Sequence, residues 1–272
     1  MGKLSGFCCI FLLILSVFSS FLFSQSTEKQ QVNKFTIHAP QLKTDKQIWV
    51  YLPKNYQNSE NAYPVIYMHD AQNLFDAQTS FAGEWQIDEF LDNFEGSESI
   101  IVGIEHGNDK RLDELTPFSN NKYGGGQGNA YLNFIVETLK PYIDTNFRTL
   151  SENENTSIVG SSLGGLLSFY AILKYPEVFG NAGVFSPSFW FSEDIYTFAS
   201  NTSLAKVSRF YFVTGTEESE NAVPNQQKMV NLLLEKGVDK ENIVNNIIQG
   251  GRHNEAFWSA QFPDAYIWLT NQ

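Results

Sequence analysis

Residues 158–171 read IVGSSLGGLLSFYA, an apolar run that passes through a cluster of small residues into a second apolar run. The stretch TSIVGSS (156–162) reads as a buried strand, and LGGLLSFYAILKYP (163–176) as a helix stopped at Pro176. Between them Gly160-Ser161-Ser162-Leu163-Gly164 fits the pattern G-x-S-x-G. The pattern is short enough to occur by chance, so its context carries the argument. At a sharp strand-to-helix turn a serine hydroxyl is lifted clear of the sheet, and small flanking residues let the two backbones approach. The new helix also turns free N–H groups and its positive dipole end toward a developing oxyanion. The competing reading is an ordinary turn, and partners elsewhere in the chain decide between the two.

Outward from the turn, the chain alternates strands and helices. KFTIHAP and DKQIWVYLP alternate in polarity and read as two strands joined by a polar turn. YPVIYMHD (63–70), SIIVGIEHG (99–107), NAGVFSPS (181–188), RFYFVTGT (209–216) and NIVNNIIQGG (242–251) read as further strands. Helical spacing appears at 84–94, 129–143, 222–237 and 253–269. This order predicts an α/β fold, a mostly parallel central sheet with helices on both faces. Chemistry in such sheets gathers at the carboxyl ends of the strands.

A serine needs a base, and in this kind of fold the chain order is nucleophile, acid, histidine. Of the four histidines only His253 follows Ser162, and it sits just after the last strand behind two glycines. His69 precedes the turn and is read as structural. The acid should lie at a strand end between the two, where it holds the imidazole tautomer. RFYFVTG delivers TEESE, so Glu217, Glu218 and Glu220 are all candidates. The oxyanion donors expected are the N–H of Leu163 and one from the turn after VIYMHD, near Ala71 or Gln72, each contributing about 3 kcal/mol.

Composition limits the alternatives. With 272 residues, 42% apolar content and 23 Phe, the chain can build one large core. Residues 1–24 have one early Lys, an apolar run and a cleavage-like Ser24, the order of a secretory signal, with an uncleaved anchor as the other reading. Residues 25–33 read as a polar spacer and 34–272 as the folded domain, so the mature protein is expected to be exported, periplasmic or secreted, without stable membrane insertion. Cys8 and Cys9 are the only cysteines, which excludes thiol nucleophiles and zinc–thiolate sites from the mature chain. No His/carboxylate spacing demands a metal, and no cofactor is expected. The net charge of −12 disfavours nucleic acid and anionic membranes as partners.

With these residues in view, the chain from about residue 34 onward resembles the "putative esterase" family of α/β-hydrolases, which includes enterochelin esterases, S-formylglutathione hydrolases, feruloyl and acetylxylan esterases, and mycolyltransferases. YPVIYMHDAQNLFD, IIVGIEHGNDKRLDELTPF, LKPYIDTNFRT, the run around Ser162, VTGTEE and GGRHNEAFW carry the resemblance. It implies Ser162 as nucleophile and His253 as general base. It implies Glu218 as the acid, because family acids usually stand three residues past the glycine ending the strand, here Gly215. It places the second oxyanion donor on Ala71, in a His69-Asp70-Ala71 stretch where relatives carry His-Gly. Arg111 and Glu114 match a motif of the enterochelin-esterase-like branch, holding a loop over the site or forming a surface ion pair. Trp190, in SPSFW, is expected near the mouth as a surface for an aryl or sugar ring, whereas Trp258 is expected in the core.

The function expected is an exported serine esterase working through an acyl-enzyme. Its substrate would be a small-molecule or polysaccharide-linked ester: an acyl or feruloyl ester of plant polysaccharide, or a siderophore-type ester. Acyl transfer to an alcohol, a decayed hydrolase-fold binding protein and peptidase activity are the alternatives.

Overall fold

The computed structural model describes residues 32–203 and 208–271. The expected signal segment lies outside the described residues. Eight strands form one sheet: β1 (Val32–Ala39), β2 (Thr44–Tyr51), β3 (Val65–His69), β4 (Ile100–Ile104), β5 (Thr156–Ser161), β6 (Asn181–Phe185), β7 (Arg209–Gly215) and β8 (Ile243–Ile248). Their spatial order is β1-β2-β4-β3-β5-β6-β7-β8. β1 and β2 pair antiparallel, as does β2 with β4, and every pairing from β4 to β8 is parallel. β1 begins at Val32, so the sheet takes in the end of the stretch read as spacer. Among the described residues no helix is long and apolar enough to cross a membrane.

The central strands are continuous apolar runs because both of their faces are covered. Successive side chains alternate between two cores. Val65, Tyr67, Ile158, Phe210 and Phe212 face one core, together with residues of α3 (Gly128–Phe134), α4 (Lys140–Asn146), α5 (Leu163–Lys174), α6 (Asp194–Asn201) and α7 (Ala222–Glu235). Ile66, Met68, Val159, Tyr211 and Val213 face the other, against Leu91 of α1 (Ile87–Asn93) and Trp258, Phe262, Tyr266 and Leu269 of α8 (Glu255–Thr270). A four-residue α2 (Arg111–Glu114) stands in the long β4–α3 connection.

The expected helix at 129–143 is present, but its middle turn, Ile135–Leu139, is π-helical just before Pro141. A proline lacks the N–H that would continue the regular ladder, and the wider turn accommodates it. β6 stops at Phe185, short of the strand read to 188, because the chain turns at Ser186 with φ 44°. With β5 near the centre of the sheet, its carboxyl end opens onto the loops after β3, β4, β6, β7 and β8. The candidate residues come from those loops.

Candidate active site

Ser162 follows β5 immediately and has φ 57°, ψ −118°, a conformation costing about 1–3 kcal/mol for a residue with a Cβ. Backbone bonds hold it there. Its N–H donates to Phe185 O (2.9 Å), and its carbonyl accepts from Leu166 N–H (3.0 Å) and Ser188 N–H (3.0 Å). The turn also needs Gly160, where a Cβ would lie 2.7 Å from both the Gly164 backbone and the His69 ring. A strained, tethered serine at a strand-to-helix turn has the geometry of a nucleophile elbow. Ser162 Oγ lies 3.2 Å from Ser188 Oγ and makes no bond to His253 among the described residues. Both Ser162 and His253 line one cleft of about 680 Å³.

His253 Nδ1 stands 2.8 Å from Glu218 Oε2. Glu218, with its side chain 2% exposed, also accepts Ser186 Oγ (2.6 Å) and Gly215 N–H (2.8 Å) on Oε1. Burial alone would raise its pKa, but the hydrogen bonds from His253, Ser186 and Gly215 outweigh burial and hold the carboxyl below its ordinary value. A carboxylate only accepts, so the His253 proton sits on Nδ1 and Nε2 is left as an acceptor. Glu217 points elsewhere, into an exposed pair with Arg252 (3.0 Å). The loops bearing Glu218 and His253 are tied together: Glu217 N–H donates to Gly251 O (2.9 Å) and Thr216 N–H to Ile248 O (3.0 Å).

Two residues of this cluster have no signature in the sequence. Ser186 bridges Glu218 to Trp258, whose indole Nε1 donates to Ser186 Oγ (2.8 Å). Trp258 is buried as expected, yet it also lines the cleft and meets the His253 ring edge-on at 5.0 Å. It is therefore part of the site wall as well as the core. Ser188, also 2% exposed, is the other such neighbour.

The opposite wall is built by the loop after β3 and the β4–α3 connection. Asp70 adopts left-handed φ 58° and takes a two-point bond from Arg111, Nε to Oδ1 and Nη2 to Oδ2, both 2.7 Å. Burial would raise the Asp70 carboxyl, but the guanidinium prevails and holds it low. Glu114 does not pair with Arg111. It meets Lys46 at 2.6 Å, both nearly sealed from solvent, and accepts Gly107 N–H (3.0 Å). Of the two expectations for this motif, the ion pair between its own members is not formed, and each member instead anchors the connection to a neighbouring strand region.

Leu163 begins α5, and its N–H has no partner among the described residues. Ala71 begins the turn after Asp70 but is wholly buried, its methyl close to Gly103, and it is the neighbouring Gln72 that lines the cleft. Trp190 is 53% exposed and stands beside Tyr123 and Phe191, off the cleft wall. Phe81, 94% exposed, occupies the rim instead. His69, read as structural, is buried: burial lowers its pKa to about 4, and its Nδ1 lies 3.2 Å from Tyr131 OH. Carboxylate oxygens of Glu84, Asp88 and Glu89 come within 4.8 Å of one another, although none of the three lines the cleft. A larger groove between α6 and α7 holds none of the candidate groups, so chemistry rather than volume selects the cleft.

A sheet of this order with a tethered serine at the end of β5 defines an α/β-hydrolase fold, and the model of the family described as "Putative esterase" matches residues 39–269. The chain belongs to this esterase family. Protein YbbA of Bacillus subtilis (strain 168) is 29% identical over 238 residues, covering 83% of this chain and 92% of YbbA. An endo-1,4-beta-xylanase/feruloyl esterase of Xylanibacter ruminicola is 25% identical over 219 residues, 77% of this chain and 27% of that protein. Among solved structures, the enterobactin esterase FES of Shigella flexneri superposes with a TM-score of 0.70 at 18% identity, covering 88% of this chain and 59% of that one.

Proposed function

We propose that the protein is an exported serine carboxylic-ester hydrolase acting through an acyl-enzyme. The observation that carries this reading is the His253 Nδ1–Glu218 pair at 2.8 Å, with His253 lining the same cleft as the strained Ser162. His253 Nε2, free to accept, takes the Ser162 proton as Oγ attacks the ester carbonyl. For this transfer Oγ first exchanges its contact with Ser188 for one with His253, a hydrogen bond that commonly tightens only with substrate in place. The oxyanion is held by Leu163 N–H and a second donor from the turn spanning Asp70–Gln72. The burial of Ala71 and the position of Gln72 favour the Gln72 end of that turn. The imidazolium returns its proton to the leaving alcohol, and water, activated by the same nitrogen, releases the acid. Two ester classes are carried over from relatives: feruloyl or acyl esters of polysaccharide, and siderophore-type esters.

Purified protein and Ser162→Ala, assayed on p-nitrophenyl acetate, methyl ferulate and a catecholate trilactone, test the reading. Hydrolysis of at least one ester by the wild type, falling to near background in Ser162→Ala, is expected. Equal turnover by both proteins would remove Ser162 from the mechanism.

A further inference from the structure

His106 lines the cleft that holds Ser162 and also an adjoining cleft of about 610 Å³; it and Asn108 are common to both walls. All but one of its polar atoms have a partner. Its N–H donates to Gln72 Oε1 (3.3 Å), and its carbonyl accepts from Gln72 Nε2 (3.4 Å). Its Nδ1 accepts the backbone N–H of Asn108 (3.0 Å), a residue held at φ 52°. A ring nitrogen that accepts an N–H carries no proton itself, so the imidazole is neutral with its hydrogen on Nε2. Nε2 has no protein partner among the described residues, and the residue is only half-buried. A rigid, uncharged N–H donor is thus available to whatever fills the cleft. Burial also lowers the His106 pKa below its ordinary value, in the direction of the neutral ring.

The charges nearby limit what that occupant can be. Arg111 is committed to Asp70, and the carboxylates of Glu218 and Glu255 also belong to this region, so the Ser162 cleft offers no uncommitted cation. A polyanion such as a ferric tris-catecholate finds no counter-charge there. The adjoining cleft sets Lys43, Lys46 and Lys110 against Asp45, Glu105 and Glu114, charges that balance, and its remaining polar side chains suit hydroxyl groups.

We propose that His106 is a specificity-determining residue whose Nε2–H holds an acceptor oxygen on an uncharged, polyhydroxylated portion of the ester, where it crosses from one cleft into the other. This rests on the esterase reading. The test compares wild type, His106→Phe and His106→Gln on a feruloylated xylo-oligosaccharide and on p-nitrophenyl acetate. One neutral hydrogen bond corresponds to about tenfold in affinity. His106→Phe should raise KM for the oligosaccharide ester about tenfold with a smaller change in kcat. The ratio of its kcat/KM to that for p-nitrophenyl acetate should fall by a similar factor. His106→Gln, which reaches a similar point with an amide N–H, should recover most of that ratio. Long-range ¹⁵N–¹H correlation of the wild type should show protonated Nε2 and bare Nδ1. A proton on Nδ1, an unchanged ratio in His106→Phe, or no recovery in His106→Gln overturns the proposal. If the wild type hydrolyses neither ester, the esterase reading is what fails. Calorimetric binding of the oligosaccharide then decides for His106: a tenfold weakening in His106→Phe supports it, and equal binding overturns it.

Discussion

Replacing Glu218 by Gln exchanges one carboxylate oxygen for an NH2 group at nearly constant size, and the surroundings dictate which oxygen is lost. Gly215 N–H is a donor that cannot turn, and it points at Oε1. Ser186 Oγ receives the Trp258 indole N–H, so its own hydrogen is directed to the same Oε1. The amide oxygen of Gln must therefore stay at the Oε1 position, which places NH2 against His253 Nδ1. Two N–H groups cannot face each other at 2.8 Å, so the imidazole is driven to the tautomer with its proton on Nε2, the nitrogen that should act as base. Loss of the base tautomer in a triad costs about 10⁴ in kcat, or about 5.5 kcal/mol in the barrier. Steady-state hydrolysis of the preferred ester should show that drop in Glu218→Gln with little change in thermal midpoint. The exposed Glu217→Gln should stay within about twofold of wild type, because its pair with Arg252 is solvent-screened. Retention of more than about a tenth of activity by Glu218→Gln, or an equal loss in Glu217→Gln, would refute the assignment.

Other perturbations test the scaffold. A Cβ at residue 215 would lie 2.1 Å from Gly251 O, so Gly215→Ala should force the two loops apart, lowering stability by about 3 kcal/mol in urea denaturation and reducing activity with it. Arg111→Met leaves the Asp70 carboxylate buried without its partner and should cost about 3 kcal/mol by the same measurement; adding Asp70→Asn should restore part of it. For His69, with a folded pKa of about 4 against an ordinary 6.5, the unfolded chain binds a proton between those values that the folded chain refuses. Its contribution is therefore fully present above about pH 6.5 and is lost as pH falls toward 4, amounting to about 3 kcal/mol. Urea midpoints measured across that window should fall with pH, and His69→Gln should flatten the slope.

The β-α alternation, Ser162 and His253 were legible in the sequence for separate reasons. Buried parallel strands leave continuous apolar runs, the elbow leaves a local cluster of small residues, and only one histidine follows it. Glu218 was harder, because three carboxylates follow β7 in close succession and only the family spacing separates them. Ser186, Trp258, Asp70 and His106 could not be read as neighbours. Ser186 and Trp258 lie 72 positions apart, and Asp70 and Arg111 lie 41 apart. They meet because parallel strands deliver their carboxyl ends to one edge, which no local pattern records. Trp190 shows the opposite failure: its place in SPSFW suggested the mouth, but the turn at Ser188–Phe191 carries the indole away beside Tyr123.

The sheet's two halves contribute unequally to the reaction. Ser162 stands at the end of an interior strand, while Glu218 and His253, the proposed acid and base, follow β7 and β8, and β8 is a half-buried strand at the rim of the sheet. Segments with few buried apolar contacts open at lower free energy than the core, and β8 has no fully buried residue. On the proposed mechanism, heating should part Glu218 and His253 before β5 unfolds, and loss of activity should then precede the loss of helical signal. The working lifetime would then depend on the hold of the last 60 or so residues, from β7 onward, more than on the core.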